Sequence, residues 1–221
     1  MSTLTSPAFI TLLERLYSEA EGTSPHLNTA LGKLSEAELW QQMRSKVDYA
    51  GFYHHLKDFP LPIARDTGRL LYMLARSSNA RSIVEFGTSF GLSTLHLAAA
   101  LRDNGGGRLI TSELEPSKAA RAQAHLEAAG LLDLVEIREG DALQTLANGL
   151  PPSVDLLLLD GAKGLYGEIL SLLHARLRPG ALLIADNADY CPEYLKRVRS
   201  PAAGYLSVPF DDEVELSIKL A

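Results

Sequence analysis

A single cysteine, Cys191, stands among 221 residues, so no disulfide can close within the chain. A stapled secreted scaffold is excluded, and the cysteine usage fits a reducing cytoplasm. No long basic block occurs and the net charge is −6. The electrostatic footprint of a nucleic-acid binder is therefore missing. Charged residues interrupt every apolar run before it reaches membrane-spanning length, so no membrane contact is expected. The opening Met1-Ser2-Thr3-Leu4-Thr5-Ser6-Pro7 lacks the basic start and apolar core of a signal peptide. The six histidines (His26, His54, His55, His96, His125 and His174) nowhere show zinc-ligand spacing. Internal repeats and low-complexity segments are also lacking.

What is present is a hydrophobic fraction of 46%, enough for one sizeable α/β domain with a decorated terminus. Helical spacing of Phe9, Leu12, Leu13, Leu16, Tyr17 and Ala20 predicts a helix from Pro7 to Glu21. Ser35-Glu36-Ala37-Glu38 reads as a capping box opening a second helix toward Lys46. The aromatic stretch from Asp48 to Pro62 reads as a loop. Residues 1–62 are thus expected to form an N-terminal helical region, and residues 63–221 the main domain.

A helix from Thr67 to Arg76 leads into a regular alternation. Strands are expected at Ser82–Phe86, Arg108–Ser112, Leu134–Arg138, Val154–Leu159 and Ala181–Ala185. Helices between them are expected at Ser93–Leu101, Ser117–Ala129, Leu143–Leu146 and Tyr166–Leu177. This pattern predicts a doubly wound, mainly parallel, Rossmann-like sheet. Two further β-like runs, Tyr205–Pro209 and Val214–Leu220, flank a short acidic turn at Asp211-Asp212-Glu213. They predict an antiparallel hairpin at the sheet edge.

The chemistry gathers where strands end, the edge at which open α/β sheets bind ligands. Glu85-Phe86-Gly87-Thr88-Ser89-Phe90-Gly91 follows the first strand, with glycines that allow close backbone approach. Its spacing differs from the Gly-x-Gly-x-x-Gly of dinucleotide folds. Glu113 ends the second strand, where a carboxylate can accept hydrogen bonds from ribose hydroxyls. Gly140-Asp141-Ala142 follows the third, where an acid can meet an adenine amino group. Together these three strand ends point to a nucleoside-type ligand. The fourth and fifth strands stop on Asp160 and on Asp186-Asn187. Two carboxylates, an amide oxygen and the nearby Lys163 suit a hard, oxygen-ligated metal ion with a base beside it.

These motifs resemble those of class I S-adenosylmethionine-dependent methyltransferases, above all the cation-dependent catechol and caffeoyl-CoA O-methyltransferases and their bacterial relatives. The resemblance runs from about Ile63 to the C-terminus. It implies that Glu85, Gly87, Thr88, Ser89 and Ser93 hold the methionine part of the cofactor. It also implies that Ile63 meets the cofactor carboxylate through its amide, Glu113 the ribose, and Asp141 with Ala142 the adenine. Asp160, Asp186 and Asn187 are the implied cation ligands, with Mg²⁺ first and Mn²⁺ or Ca²⁺ as alternatives. Asp160 also borders the cofactor. Lys163 is the implied base and Tyr166 completes the Asp-x-x-Lys-x-x-Tyr spacing. A homodimer acting on a small hydroxylated, aromatic acceptor is implied as well. The chain departs from the family in reading Asp160-Gly161-Ala162-Lys163 where many relatives have Asp-Ala-Asp-Lys. Its segment from Ala188 to Gly204 is short, so the substrate does not carry over.

A lysine beside a cation is expected to have a depressed pKa, which suits it to accept a phenol proton near neutral pH. Metal-independent methyl transfer and a cofactor-binding module without turnover are the competing readings. Dinucleotide dehydrogenase chemistry fits less well, since the glycine spacing is wrong. For Trp40, Tyr49, Phe52 and Tyr53, packing of the N-terminal helices is favoured over a role in lining a pocket. Surface or packing roles are favoured for His54 and His55. Nothing marks Cys191 as a nucleophile, and Asp212 and Glu213 are expected to stay solvated.

Overall fold

The computed structural model describes residues 2–210 and 213–220. Seven strands form one sheet in the order β3-β2-β1-β4-β5-β7-β6. They span Ser82–Phe86 (β1), Arg108–Glu113 (β2), Val135–Glu139 (β3), Val154–Leu159 (β4), Leu177–Ala185 (β5), Tyr205–Phe210 (β6) and Val214–Lys219 (β7). The first five pair in parallel, and β7 runs antiparallel to both β5 and β6. The doubly wound sheet with its hairpin edge is therefore as expected, although Asp211 and Asp212 of the acidic turn lie outside the described residues.

The leucine run of β4 shows why the sheet is central. Side chains alternate across a strand. Leu156 and Leu158 enter one core with Leu71, Ile83 and Leu97, while Leu157 and Leu159 enter the other with Ile169 and Tyr194. A continuous apolar strand is what a sheet covered on both faces requires.

Helices lie at Pro7–Leu31 (α1), Glu36–Met43 (α2), Tyr49–His55 (α3), Arg65–Ser77 (α4), Leu92–Asp103 (α5), Pro116–Ala128 (α6), Ala142–Thr145 (α7), Tyr166–Leu173 (α8) and Pro192–Val198 (α9). The capping box of α2 forms in full: Ser35 Oγ accepts from the Glu38 amide and the Ser35 amide donates to the Glu38 carboxylate.

Four boundaries differ from expectation. Helix α1 continues past Glu21 and through Pro25 to Leu31. The hydroxyls of Thr23 and Ser24 both reach the Ala20 carbonyl, serving the backbone in the turn that the proline disturbs. Tyr49–His55 is helical rather than loop-like, because tertiary packing of its aromatic face overrides the low propensity of Gly51. Helix α8 stops at Leu173 and β5 begins at Leu177, four residues early, with an irregular register between Val154 and Leu156 on its partner strand. Helix α9 occupies part of the segment from Ala188 to Gly204 that carried no assignment; Pro192 sits in its first turn.

Candidate active site

The parallel register brings the chemistry to one edge. Leu159 lies opposite Ala185, so the next residue of each strand, Asp160 and Asp186, emerges side by side. Burial, and then mutual repulsion, raises Asp186 above the usual carboxylate range. Burial likewise raises Asp160, against the charge of Lys163.

Lys163 is 5% exposed and fully engaged. Its Nζ donates to Asp160 Oδ1 at 3.2 Å, to Tyr166 Oη at 2.9 Å and to the Asp186 carbonyl at 3.3 Å. The Tyr166 hydroxyl in turn donates to the Asp186 carbonyl at 2.7 Å. Burial alone would lower the lysine pKa, but the charges of Asp160 and Asp186 outweigh it and hold it above the ordinary value. The expected depression is that of a lysine beside a bound cation; in the protein alone the amine stays above its ordinary value. The reason is that the two carboxylates dominate the local field. Asn187 adopts a left-handed conformation at the end of β5, which turns the chain toward the same cavity.

The opposite half of the edge is built on glycine. Gly87 has φ +102°, and a Cβ there would fall 2.5 Å from the Asp160 carbonyl oxygen. The loop after β1 and the turn after β4 therefore touch backbone to backbone. Glu113 is anchored by the amides of Ser89 at 2.6 Å and Glu115 at 3.0 Å, leaving its remaining lone pairs toward the cavity. Asp141 caps α7 through the Leu143 amide at 2.9 Å.

A cavity of about 320 Å³ runs across these strand ends. Gly87, Ser89, Glu113, Asp141, Ala142 and Asp160 line it, together with Lys163, Asp186 and Asn187. Four expected residues lie beneath or behind it instead. Glu85 is fully buried, accepting from Thr94 Oγ1 at 2.6 Å, and burial pushes its pKa up to about 7. Its Oε1 has no partner among the described residues. Thr88 pairs with Thr111 at 2.6 Å, Ser93 is buried, and Ile63 packs in the core.

Sequence reasoning missed the roof. Tyr49, Phe52 and Tyr53 of α3 line the cavity, and so do Leu39 and Met43 of α2. The expectation that these aromatics merely pack is corrected for α3, whose helical turn puts Tyr49 and Tyr53 on one face. Trp40 does pack, stacking on Tyr190 at 4.4 Å between ring centroids. His54 reaches Glu115 at 3.1 Å, and Lys118 is buried at the cavity wall. Only the acids at Glu113 and Glu115, two residues apart, hinted that the β2 end carries more than one polar contact. Cys191 donates to the Lys163 carbonyl at 3.1 Å, and burial pushes its thiol pKa up to about 12, which suits a structural role.

A methyltransferase-domain family model matches residues 84–188. Catechol O-methyltransferase of Niastella koreensis is 38% identical over 131 residues, covering 58% of this chain and 58% of its own length. Catechol O-methyltransferase B of Danio rerio is 30% identical over 184 residues, covering 79% of this chain and 67% of its own. The structure of a Streptomyces achromogenes O-methyltransferase involved in tomaymycin synthesis, solved in complex with S-adenosylmethionine, superposes with a TM-score of 0.62. It is 27% identical and covers 90% of this chain and 96% of its own. Sheet order, strand-end loops and matched segment define a methyltransferase domain. Within that class, the chain belongs to the class I S-adenosylmethionine O-methyltransferase family, with the catechol and caffeoyl-CoA enzymes among its relatives. The bacterial catechol O-methyltransferases of Niastella koreensis and Mycobacterium tuberculosis are matched over less than two thirds of their own length.

Proposed function

We propose that the protein transfers a methyl group from S-adenosylmethionine to a hydroxyl of a small, aromatic, catechol-like acceptor, assisted by a divalent cation. The observation that carries this reading is the Asp160–Asp186 pair, with Asn187 and Lys163 at the same cavity as Gly87, Glu113 and Asp141.

The residues fit the cofactor. The loop after β1 rides close enough to Asp160 to leave no room for a side chain at position 87. Beneath it lies Glu85 Oε1, a buried acceptor without a partner, suited to a cationic amino group. Glu113 and Asp141 offer carboxylates to hydroxyl and amino donors.

The residues also fit a hard cation. Asp160 and Asp186 crowd two carboxylates against the single ammonium of Lys163, and Asn187 adds an amide oxygen. Among the described residues no group of three or more His, Cys, Asp or Glu side chains converges, so the amide is needed for a third protein ligand. Bound there, a divalent cation would polarise the acceptor hydroxyl and offset the carboxylate charge that now keeps Lys163 protonated.

The chain's own residues do the rest. With that charge offset Lys163 could be the neutral amine, held by the acceptors around it, and take the proton of the substrate hydroxyl at the free lone pair of Nζ. Tyr166 fixes that amine by linking it to the Asp186 backbone. Leu39, Met43, Tyr49, Phe52 and Tyr53 exclude water and offer flat apolar walls to a ring. Collinear placement of donor and acceptor in a closed site supplies much of the remaining acceleration.

The test is methyl transfer to catechol acceptors with and without EDTA. The reading expects turnover that EDTA abolishes and Mg²⁺ restores. Full activity in EDTA would remove the cation and favour metal-independent transfer.

A further inference from the structure

Lys118 lies in the first turn of α6, just beyond the β2 end, and is 4% exposed. Its side chain borders the cavity. Unlike Lys163, it makes no hydrogen bond or ion pair among the described residues. It lies within the fields of Glu113, Glu115, Asp160 and Asp58. Yet Glu115 is already engaged by His54 at 3.1 Å, and Glu113 is engaged by two backbone amides. On the other side, the Phe90 ring centroid is 5.8 Å from Nζ.

Burying a lysine costs desolvation, and its three donors here open on the cavity rather than on a protein acceptor. Packing does not call for it. The core stripe of α6 is Ala119, Ala122 and Leu126, and an apolar side chain at position 118 would fill the same flank without the penalty. From the cavity side, water or an entering ligand can take those donors. Glu113, five residues earlier, supplies only acceptors toward that space. A carboxylate can take the protons of a vicinal diol but cannot serve the diol oxygens. A donor beside it can.

We propose that Lys118 is a cofactor-binding residue whose ammonium donates to the ribose hydroxyl oxygens while Glu113 accepts their protons. The two side chains together recognise the sugar diol. The methionine end of the cofactor belongs to the other side of the cleft, over Glu85 and the loop after β1, so the two contacts are separable. This inference rests on the S-adenosylmethionine reading above.

The experiment is calorimetric binding of S-adenosylhomocysteine and of its 2′,3′-dideoxy analogue to the full chain, with Lys118→Met and Lys118→Gln variants. No turnover is needed. Lys118→Met is expected to weaken the natural ligand at least ~10-fold, the range for a hydrogen bond to a charged group. Its effect on the dideoxy analogue should stay below about 3-fold, because the removed donor then has no acceptor to lose. Lys118→Gln, which keeps a donor, should fall between wild type and Met. If the Met variant does not fold, the Gln variant carries the same two-ligand comparison. Unchanged affinity for S-adenosylhomocysteine, or equal losses for both ligands, would overturn the role of Lys118 while leaving the cofactor reading intact. A wild-type chain that binds neither ligand refutes both.

Discussion

Replacing Glu85 with glutamine is expected to abolish a specific pH dependence of stability. Glu85 is fully buried at the end of β1, and burial lifts its pKa from 4.5 to about 7 against the hydrogen bonds of Ser93, Thr94 and Thr111. The folded chain therefore holds this proton more tightly than the unfolded chain. The stabilisation is complete below pH 4.5 and is lost as pH rises through 7. A displacement of about 2.5 units at 1.36 kcal/mol each corresponds to ~3 kcal/mol. Glutamine is close in shape, and its NH₂ can take the place of Oε1, which has no partner to lose. It cannot ionise, so the variant should gain ~3 kcal/mol relative to wild type between pH 4.5 and pH 8. Urea unfolding of both proteins across that range measures the difference, in which all other titrating groups cancel. A difference that does not change with pH would refute the assignment of Glu85 as a buried, proton-holding acid.

Other substitutions probe other parts of the argument. Gly87→Ala forces a side chain against the Asp160 carbonyl at positive φ; a loss of about 2–4 kcal/mol is expected in denaturant titrations, from strain and overpacking together. Lys163→Met should lower methyl-transfer kcat by roughly 10²–10⁴, the range for general acid–base catalysis, with S-adenosylhomocysteine affinity unchanged; a variant within 3-fold of wild type would remove Lys163 from the chemistry. Arg199→Ala takes the bidentate partner, at 2.7 and 2.8 Å, from Glu215, which is 1% exposed in the hairpin. Ser207 still donates to that carboxylate, so the expected destabilisation is about 1–3 kcal/mol, measured by chemical unfolding, and no loss would mean solvent replaces the arginine.

The strand ends were legible because two signals coincide there. Apolar runs such as Leu156–Leu159 mark buried strands, and the first polar residue after each run must lie at the sheet edge. That rule located Asp160 and Asp186 at the cavity edge, while Glu113 and Asp141 were placed there by lying at or just past the ends of their strands. Helix α3 was not legible. Seven residues that include Gly51 show no strong period, and the structure of the helix depends on the surface beneath it. For Glu85 and Ser93 the resemblance implies contacts to the cofactor, and only the fold shows that both side chains are buried beneath the glycine loop.

Sequence alone determined the order of strands and helices, the acids at the carboxyl edge and the family motifs, since all of these follow from local periodicity and spacing. Tertiary structure decided the electrostatics. The linear chain cannot say that Asp160 and Asp186 end up side by side, that their charge raises the Lys163 pKa, or that the Lys118 ammonium faces the cavity with no hydrogen-bond partner among the described residues. Those properties depend on distances between segments far apart in the chain and on exclusion of water, and both arise only when the sheet edge and the N-terminal helices close on one cavity.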